Sequence, residues 1–232
     1  VPFVLILKEP DLGTSLILPP MFASILFVTE IKWRYVLIGL LAIVLIGGVS
    51  APLLYKHLKP YQKERILTFL DRDRDPLNRG WNANQAEIAV GTGGFWGKGY
   101  MNGMHCPLGY LPQVVSNSDF IFPVYAEETG FVGAFVLLFL YGLLLYSIFR
   151  TAMLSPDPFG RCLCVGVASI LLSHVVVNIG MCVRLLPITG IPLPLISYGG
   201  TFLVAMMVYL GIVQSVYAHR KEKQVFADID GR

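Results

Sequence analysis

The sequence predicts an all-α membrane protein, a polytopic bundle of helices with one large loop outside the membrane. Of its 232 residues, 55% are hydrophobic and only 14% are charged, and the mean hydropathy is +0.64. A soluble domain of this size is less apolar and more charged. The apolar residues also fall into runs near the ~20 residues that a spanning helix needs. The net charge of +3 is modest, and we expect no nucleic-acid partner.

Five apolar runs predict five membrane spans. They are Leu12–Val28, Tyr35–Leu54, Phe120–Phe149, Cys162–Leu186 and Gly199–Val216. A further apolar stub, Val1–Leu7, is too short to cross a bilayer, and neither an initiator Met nor a charged signal-peptide region precedes it. We therefore expect the chain to be the C-terminal part of a longer polytopic protein.

The distribution of basic residues predicts which connections lie in the cytoplasm. Basic residues cluster between the first two spans, between the third and fourth, and after the last span: Lys32 and Arg34, Arg150 and Arg161, and Arg220, Lys221 and Lys223. The positive-inside rule places these three regions in the cytoplasm. Residues 217–232 are then a cytoplasmic tail, and residues 55–119 form an extracytoplasmic loop.

The predicted loop has three parts. The basic segment Tyr61–Leu70 repeats its apolar residues at helical spacing, which is typical of a helix lying on the membrane surface. Asp71–Asn84 is rich in charge, Asn, Pro and Gly and predicts irregular structure. Six glycines follow between Gly91 and Gly103, interleaved with aromatic residues.

The glycine-rich stretch does not match a nucleotide-binding P-loop. Its nearest alignment, ending at Lys98 and Gly99, lacks the first glycine and the closing Ser or Thr, and it has no strand-to-helix context. Two interpretations stay open. The stretch forms a compact loop over a cavity, or its backbone N–H groups and Lys98 contact a phosphate group.

Three carboxylates lie in or beside the run Phe120–Phe149. An ionised carboxylate facing lipid costs at least ~2.5 kcal/mol, so such groups face a polar cavity, pair with a cation or take part in chemistry. Asp119 either caps the helix that follows it or has a chemical role. Glu127 and Glu128 lie ~12 to 14 Å further along, which is too far for a cap. Their alternative role is an ion pair, for which Arg184 is the best intramembrane partner.

Polar and helix-breaking residues follow in the last part of the chain. His174 and Asn178 lie four residues apart on one helix face, which predicts hydrogen bonds between helices. The segment Pro187–Gly200 holds repeated Pro and Gly residues at membrane depth. Irregular backbone is tolerated there only against protein or water, so we expect this segment to line the same cavity as the carboxylates.

Taken together, these motifs resemble the SEDS family, the shape, elongation, division and sporulation membrane glycosyltransferases. The matching segments run in order along the chain: Glu9-Pro10-Asp11-Leu12-Gly13-Thr14-Ser15, Tyr61-Gln62 with Arg65, Asp75-Pro76-Leu77, Gln85 with Ala89, Gly93-Gly94, Gly97-Lys98-Gly99, Leu111-Pro112, Asp119-Phe120-Ile121-Phe122, Ala126-Glu127-Glu128, Asn178-Ile179-Gly180 and Pro192-Leu193-Pro194-Leu195-Ile196-Ser197-Tyr198-Gly199-Gly200. The Gly97-Lys98-Gly99 loop and the Glu9-Pro10 start are more similar to the members that act in cell elongation than to those of division.

The resemblance implies a ten-helix fold of which this chain is the second half and a little more. It implies a peptidoglycan glycosyltransferase that polymerises lipid II on the outer side of the bacterial cytoplasmic membrane. It also implies a partner, a class B penicillin-binding protein that cross-links the glycan strands. In the family pattern, the aspartate that corresponds to Asp119 is the proposed catalytic residue.

The chemistry of that reaction assigns roles to the candidate residues. A sugar hydroxyl is a weak nucleophile that needs a base, and a diphosphate leaves already ionised and needs a cation. Asp119 serves as the base, as the ligand of a divalent cation such as Mg²⁺ or Mn²⁺, or as both. The other candidate substrate-binding residues are the cations Lys98, Arg65 and Lys63 and the groove residues Gln85, Glu127, Glu128, Ser197 and Tyr198.

Two other functions stay open on the same residues. A lipid II flippase would use Glu127, Glu128 and Arg184 for coupling or for head-group contacts. A non-catalytic scaffold of the cell-wall elongation complex would need none of this chemistry.

Overall fold

The computed structural model of the chain describes residues 12–29, 34, 63, 67, 79–103 and 117–230. These residues form five helices and no strand: α1 (Leu12–Val28), α2 (Arg79–Thr92), α3 (Ile121–Leu154), α4 (Pro158–Cys182) and α5 (Gly200–Asp230). The predicted all-α class is confirmed. The predicted span Tyr35–Leu54 and the stub Val1–Leu7 lie outside the described residues.

Three of the described helices are long and apolar enough to cross a membrane: Ile121–Leu154, Pro158–Cys182 and the part Gly200–Arg220 of α5. The shorter α1 is apolar too, and its bounds coincide with the predicted run. The ends of the other three differ from the predicted runs by a few residues. Helix α5 continues to Asp230, so the described part of the predicted tail is helical.

Helix α4 lies at the centre of the described bundle. It contacts each of the other four helices, and 56% of its membrane-length window is buried, against 17% for α3 and 11% for α5. Asp157 caps it by accepting a hydrogen bond from the Phe159 N–H (3.2 Å), and Pro158 occupies the first turn, where no N–H is needed. The exposed faces of α3 and α5 therefore lie at the periphery of the bundle.

The sequence did not predict the start of helix α2. Irregular structure was expected up to Asn84, but the helix begins at Arg79. Its buried face consists of Ala83, Ala86 and Ala89, each at most 3% exposed. A stripe of small residues lets two helices approach closely, but it lacks the large apolar side chains on which periodicity analysis depends. The prediction failed for that reason.

Helix α3 is broken at Gly130, whose φ of 69° and ψ of −166° are not helical. Only glycine adopts that conformation readily. With 34 residues, an unbroken α3 would be ~51 Å long, far more than the ~30 Å hydrocarbon core of a bilayer. The part after the break, Phe131–Leu154, suffices to cross it. Glu127 and Glu128 belong to the short first part, which explains how an apparent span contains two carboxylates.

A loop formed by residues 93–103, here the glycine loop, fills the break. Its backbone replaces the helical hydrogen bonds that the break interrupts. The four bonds run from the N–H groups of Lys98 and Gly99 to the carbonyls of Glu127 and Glu128 (3.0 Å each), and from the N–H groups of Phe131 and Val132 to the carbonyls of Gly94 and Phe95 (2.9 and 3.2 Å). Two of the backbone N–H groups that the phosphate interpretation drew on, those of Lys98 and Gly99, are therefore bound to α3.

This close approach requires glycine at specific positions. A methyl group on Gly93 would lie 2.2 Å from the carbonyl oxygen of Ala126, and one on Gly97, where φ is +79°, would lie 2.1 Å from that of Glu128. Real Cβ atoms do not tolerate such distances to backbone. The glycines thus serve the packing of the loop against α3.

We predict that Gly93→Ala destabilises the protein by about 1 to 3 kcal/mol, the usual cost of overpacking. Gly91→Ala is the matched control, because a methyl group there meets nothing within 4 Å; it should be neutral or slightly stabilising, since Ala favours a helix over Gly. Thermal unfolding of the purified variants in detergent measures both. Equal melting temperatures would contradict the packing of the glycine loop.

Candidate active site

Asp119 lies in a turn, residues 117–120, that leads into α3. The N-cap of α3 is Phe120, and no side chain makes a capping hydrogen bond there. The capping interpretation of Asp119 is therefore wrong. The position of this carboxyl must be explained by what the turn packs against.

The proline-rich segment 187–199, here the strap, runs alongside this turn. The Tyr198 N–H donates to the Asn117 carbonyl (2.9 Å), and the Ser197 hydroxyl donates to the Ser118 carbonyl (2.5 Å). Ser197 Oγ in turn accepts the N–H of Leu193 (2.7 Å). The segment that was expected to share a cavity with the carboxylates therefore lies next to one of them, Asp119.

Helices α3 and α4 anchor the same region. Asn178 of α4 is fully buried, and its Nδ2 donates to the carbonyls of Asp119 (2.8 Å) and Ile191 (2.7 Å). From α3, the Tyr141 hydroxyl donates to the carbonyl of Pro194 (2.5 Å). Hydrogen bonds between helices were expected for both residues. Asn178 instead bonds to the irregular turn and strap, and the ring of His174 bonds to Ile170 within α4.

The carboxyl group of Asp119 is half-buried against the strap. Gly190 has a φ of +75°, and a methyl group there would lie 3.3 Å from Asp119 Oδ2. Burial raises the pKa of Asp119 above its ordinary value, and a hydrogen bond from the Ser118 side chain lowers it by a smaller amount. A raised pKa makes a carboxylate a stronger base, so this environment suits proton abstraction.

A groove of about 420 Å³ opens beside the turn. Its lining combines polar residues at the strap with apolar side chains of α3, the strap and α5: Asn117, Ile121, Leu195, Ile196, Ser197, Tyr198, Gly199, Gly200 and Leu203. The Tyr198 side chain is 84% exposed. The structure thus brings two predicted site residues, Ser197 and Tyr198, into the lining of the groove. Asp119 lies in the same turn as the lining residue Asn117, and its carboxyl group lies against Gly190 of the strap.

A second polar cluster lies under the glycine loop. Glu127 is 1% exposed and pairs with Lys98, whose Nζ lies 2.7 Å from Glu127 Oε1 and 3.1 Å from Thr92 Oγ1. Arg184, the partner expected from the sequence, instead donates a hydrogen bond to Asn84 of α2. Lys98 takes the place of Arg184 because the glycine loop inserts directly over the first part of α3.

The region around Asp119 and the polar cluster under the glycine loop are separate. The eight residues from Asp119 to Glu127 correspond to ~12 Å along a helix. Lys98, Glu127 and Glu128 form the polar cluster, where Glu128 meets the loop through its backbone carbonyl. Gln85 is buried in α2, and Lys63 is helical and half-buried. Arg65 lies outside the described residues. The role of each in substrate binding stays a prediction.

The donor groups near Asp119 limit how a metal ion could bind. Within residues 12–29, 79–103 and 117–220 there is no group of three or more His, Cys, Asp and Glu residues that could hold a metal ion. Mg²⁺ is commonly bound by one or two carboxylates, with water and substrate phosphates as its other ligands. A divalent cation at Asp119 fits only that pattern.

We predict that Glu127→Gln destabilises the protein by roughly 3 kcal/mol, the lower end for a broken buried ion pair, because the Lys98 side chain keeps 25% exposure. Glu128→Gln, on the adjacent and partly exposed residue, is the control and should change little. Denaturation curves of the two variants compare them. A Glu127→Gln protein as stable as Glu128→Gln would show that the pair contributes nothing.

Comparison with known sequences gives a consistent family. The model of a family described as cell cycle protein, comprising FtsW, RodA and SpoVE, matches residues 1–222. The peptidoglycan glycosyltransferase MrdB of Escherichia coli K12 is 41% identical over 220 residues, which are 95% of this chain and 58% of MrdB. The peptidoglycan glycosyltransferase RodA of Treponema pallidum is 39% identical over 191 residues, 82% of this chain and 43% of that protein.

Solved structures agree with the sequences. A chain of a peptidoglycan synthase complex, described as coordinating polymerization and crosslinking, superposes with a TM-score of 0.71 at 38% identity, over 93% of this chain and 58% of its own. Thermus thermophilus RodA gives 0.57 at 32% identity, over 94% and 53%. The present chain thus spans between 43% and 58% of the length of these relatives. It is a multi-pass membrane protein and belongs to the FtsW/RodA/SpoVE family, the SEDS proteins.

Proposed function

We propose that the full-length protein is a peptidoglycan glycosyltransferase that polymerises lipid II into glycan strands during cell elongation. The observation that carries the proposal is the half-buried carboxyl group of Asp119, which lies against the strap in a turn whose residue Asn117 lines a groove. Burial raises the pKa of this carboxyl, and the groove beside it has apolar and polar walls. Such walls suit a substrate that joins a lipid to sugars. The names of relatives at 36 to 41% identity support the same activity.

In the proposed mechanism, Asp119 acts as the general base. A sugar hydroxyl of one substrate attacks the anomeric carbon of the other, and Asp119 takes the hydroxyl proton. The new C–O bond forms while the bond from the anomeric carbon to the diphosphate oxygen breaks, and the electron pair leaves with the diphosphate. One base suffices, because the leaving group needs no proton.

The charge of the leaving diphosphate needs a cation. In the structure Lys98 already pairs with Glu127, so we assign it a supporting role at the first part of α3. Lys63 and Arg65 remain candidates for the diphosphate. Asp119 is the residue that would hold a divalent cation, which would neutralise the same charge when bound.

We propose that the site faces the outside of the bacterial cytoplasmic membrane. Asp119 and the strap lie at one end of α3 and α4, and the turn between α3 and α4, with Arg161 next to it, lies at the other. A groove there is also lined by Arg220 near the end of the apolar part of α5. The positive-inside rule assigns that basic end to the cytoplasm.

We also propose a class B penicillin-binding protein as the partner. The solved relative described above belongs to a complex in which polymerization and crosslinking are coordinated. The exposed apolar side chains of α3, such as Phe135, Phe139 and Leu143, are available to lipid or to another membrane helix. A flippase that couples through Glu127 and Arg184 is less favoured, because these residues bind Lys98 and Asn84.

We predict that Asp119→Asn in the full-length protein abolishes polymerisation of lipid II, a loss of at least ~100-fold from removing the base. Asp157→Asn is the matched control, because Asp157 caps α4 at the opposite end and Asn caps helices equally well. Gel analysis of glycan strands made in detergent measures both.

Polymer made by Asp119→Asn at the wild-type rate would refute the catalytic role. If the protein translocates head groups in vesicles but makes no polymer, a flippase is favoured. If it shows neither translocation nor polymerisation, a scaffold is favoured. Rescue of Asp119→Glu, but not of Asp119→Asn, by added Mg²⁺ or Mn²⁺ would favour a ligand role for Asp119.

The pH dependence of polymerisation gives an independent test. A base works in its ionised form, so the rate should fall as the pH drops through the pKa of Asp119. Because burial raises that pKa, the fall should begin at a higher pH than for a water-exposed aspartate. Initial rates across the acidic range measure it, with stability checked at each pH. A rate that stays constant until the protein unfolds would contradict the proton-transfer role.

A further inference from the structure

Asn178 occupies the point where three segments meet. It lies in α4 and is fully buried, and its single NH₂ group donates to the carbonyl of Asp119 (2.8 Å) in the turn and to that of Ile191 (2.7 Å) in the strap. One amide therefore fixes the turn and the strap to α4 and to each other.

We propose that Asn178 is a positioning residue for the carboxyl group of Asp119, acting through the backbone of the turn and of the strap. This inference rests on the proposed function, because it concerns the carboxyl group assigned there as the base. Asn178 does not touch the reacting atoms. It sets the place from which Asp119 reaches them.

The geometry links the amide to both sides of the carboxyl group. On one side it holds the Asp119 peptide itself. On the other it holds Ile191, the neighbour of Gly190, and Gly190 is the residue against which Asp119 Oδ2 lies. Loss of the amide would release both the Asp119 carboxyl group and the part of the strap against which that group lies.

Only a side chain with two N–H donors can satisfy both carbonyls in this place. Asn178 does so at a cost, because its Oδ1 is buried and has no hydrogen-bond partner among the described residues. A buried acceptor without a partner destabilises the folded state. Asparagine at this position therefore holds two carbonyl groups in place, at a cost in the free energy of unfolding.

Ser197 supports the preceding peptide in the same way. Its hydroxyl donates to the Ser118 carbonyl (2.5 Å) while accepting the Leu193 N–H. Two consecutive carbonyls of the turn, those of Ser118 and Asp119, are thus held by two side chains from different segments. This doubled restraint is what placement of a base to within a fraction of an ångström requires.

Few other titratable groups face Asp119 in the described part of the chain. From α4, the Cys182 thiol lies 3.9 Å from the Asp119 carbonyl oxygen. The strap contributes no titratable side chain before Tyr198, and Glu127 of α3 lies two turns away and pairs with Lys98. Among the described residues, Asp119 is therefore the group on which a shift in the acid limb upon substitution of Asn178 would report.

The test uses the full-length protein with lipid II and measures kcat, KM and the pH profile. Asn178→Ala should lower kcat about 10- to 100-fold, the effect of a displacement of about 1 Å, with KM changed less than about threefold. The freed carboxyl would be better hydrated, so the acid limb should move to lower pH. Asn178→Asp keeps the side-chain shape, but a carboxyl group buried against two carbonyl oxygens stays neutral and offers one donor instead of two, so its kcat should lie between those of the wild type and Asn178→Ala.

Ser169→Ala is the control, because Ser169 is buried on the same helix and should leave kcat and the acid limb unchanged. Asn178→Ala with unchanged kcat would overturn the proposal. So would a loss of kcat that only follows the folded fraction, with an unmoved acid limb. If Asn178→Ala does not fold, Asn178→Asp carries the test. An inactive wild-type protein would instead refute the proposed function.

Discussion

The structure depends on the exchange of backbone hydrogen bonds between a broken helix and the loop that completes it. At Gly130 the carbonyls of the first part of α3 and the amides of the second part lose their helical partners. The glycine loop supplies them through four bonds. Unpaired backbone groups are costly away from water. Without the loop, the first part of α3 could not hold its place, and the turn with Asp119 is joined directly to that part.

The polar groups of the described bundle follow a similar logic. Asn178, Ser197 and Tyr141 each donate to a backbone carbonyl of an irregular segment. They replace the partners that a regular helix would have supplied to its own carbonyls. Helix α4 supports these segments, because it is the most buried of the membrane-length helices. The turn with Asp119 and the strap thus have irregular backbone, and side-chain hydrogen bonds attach them to regular helices.

The sequence allowed much of this to be predicted, because long apolar runs specify spans independently of their neighbours. The bounds of α1, the polar role of Asn178 and the closeness of the strap to Asp119 all followed from local patterns. The failures concern contacts between distant segments. Nothing local to Glu127 indicates Lys98 as its partner, since that pairing requires the loop to enter the break. Likewise, the alanine stripe of α2 has meaning only once its closely packed neighbour is known.

The break at Gly130 also bears on how the chain enters the bilayer. A carboxylate as buried as Glu127 is neutralised only after its lysine arrives from an earlier part of the chain. An ionised carboxylate in hydrocarbon is costly until it is paired, so the apolar stretch after Gly130 is the part of α3 that lipid accepts without a partner. The same glycine that bends the helix therefore separates a part that needs the glycine loop from a part that does not.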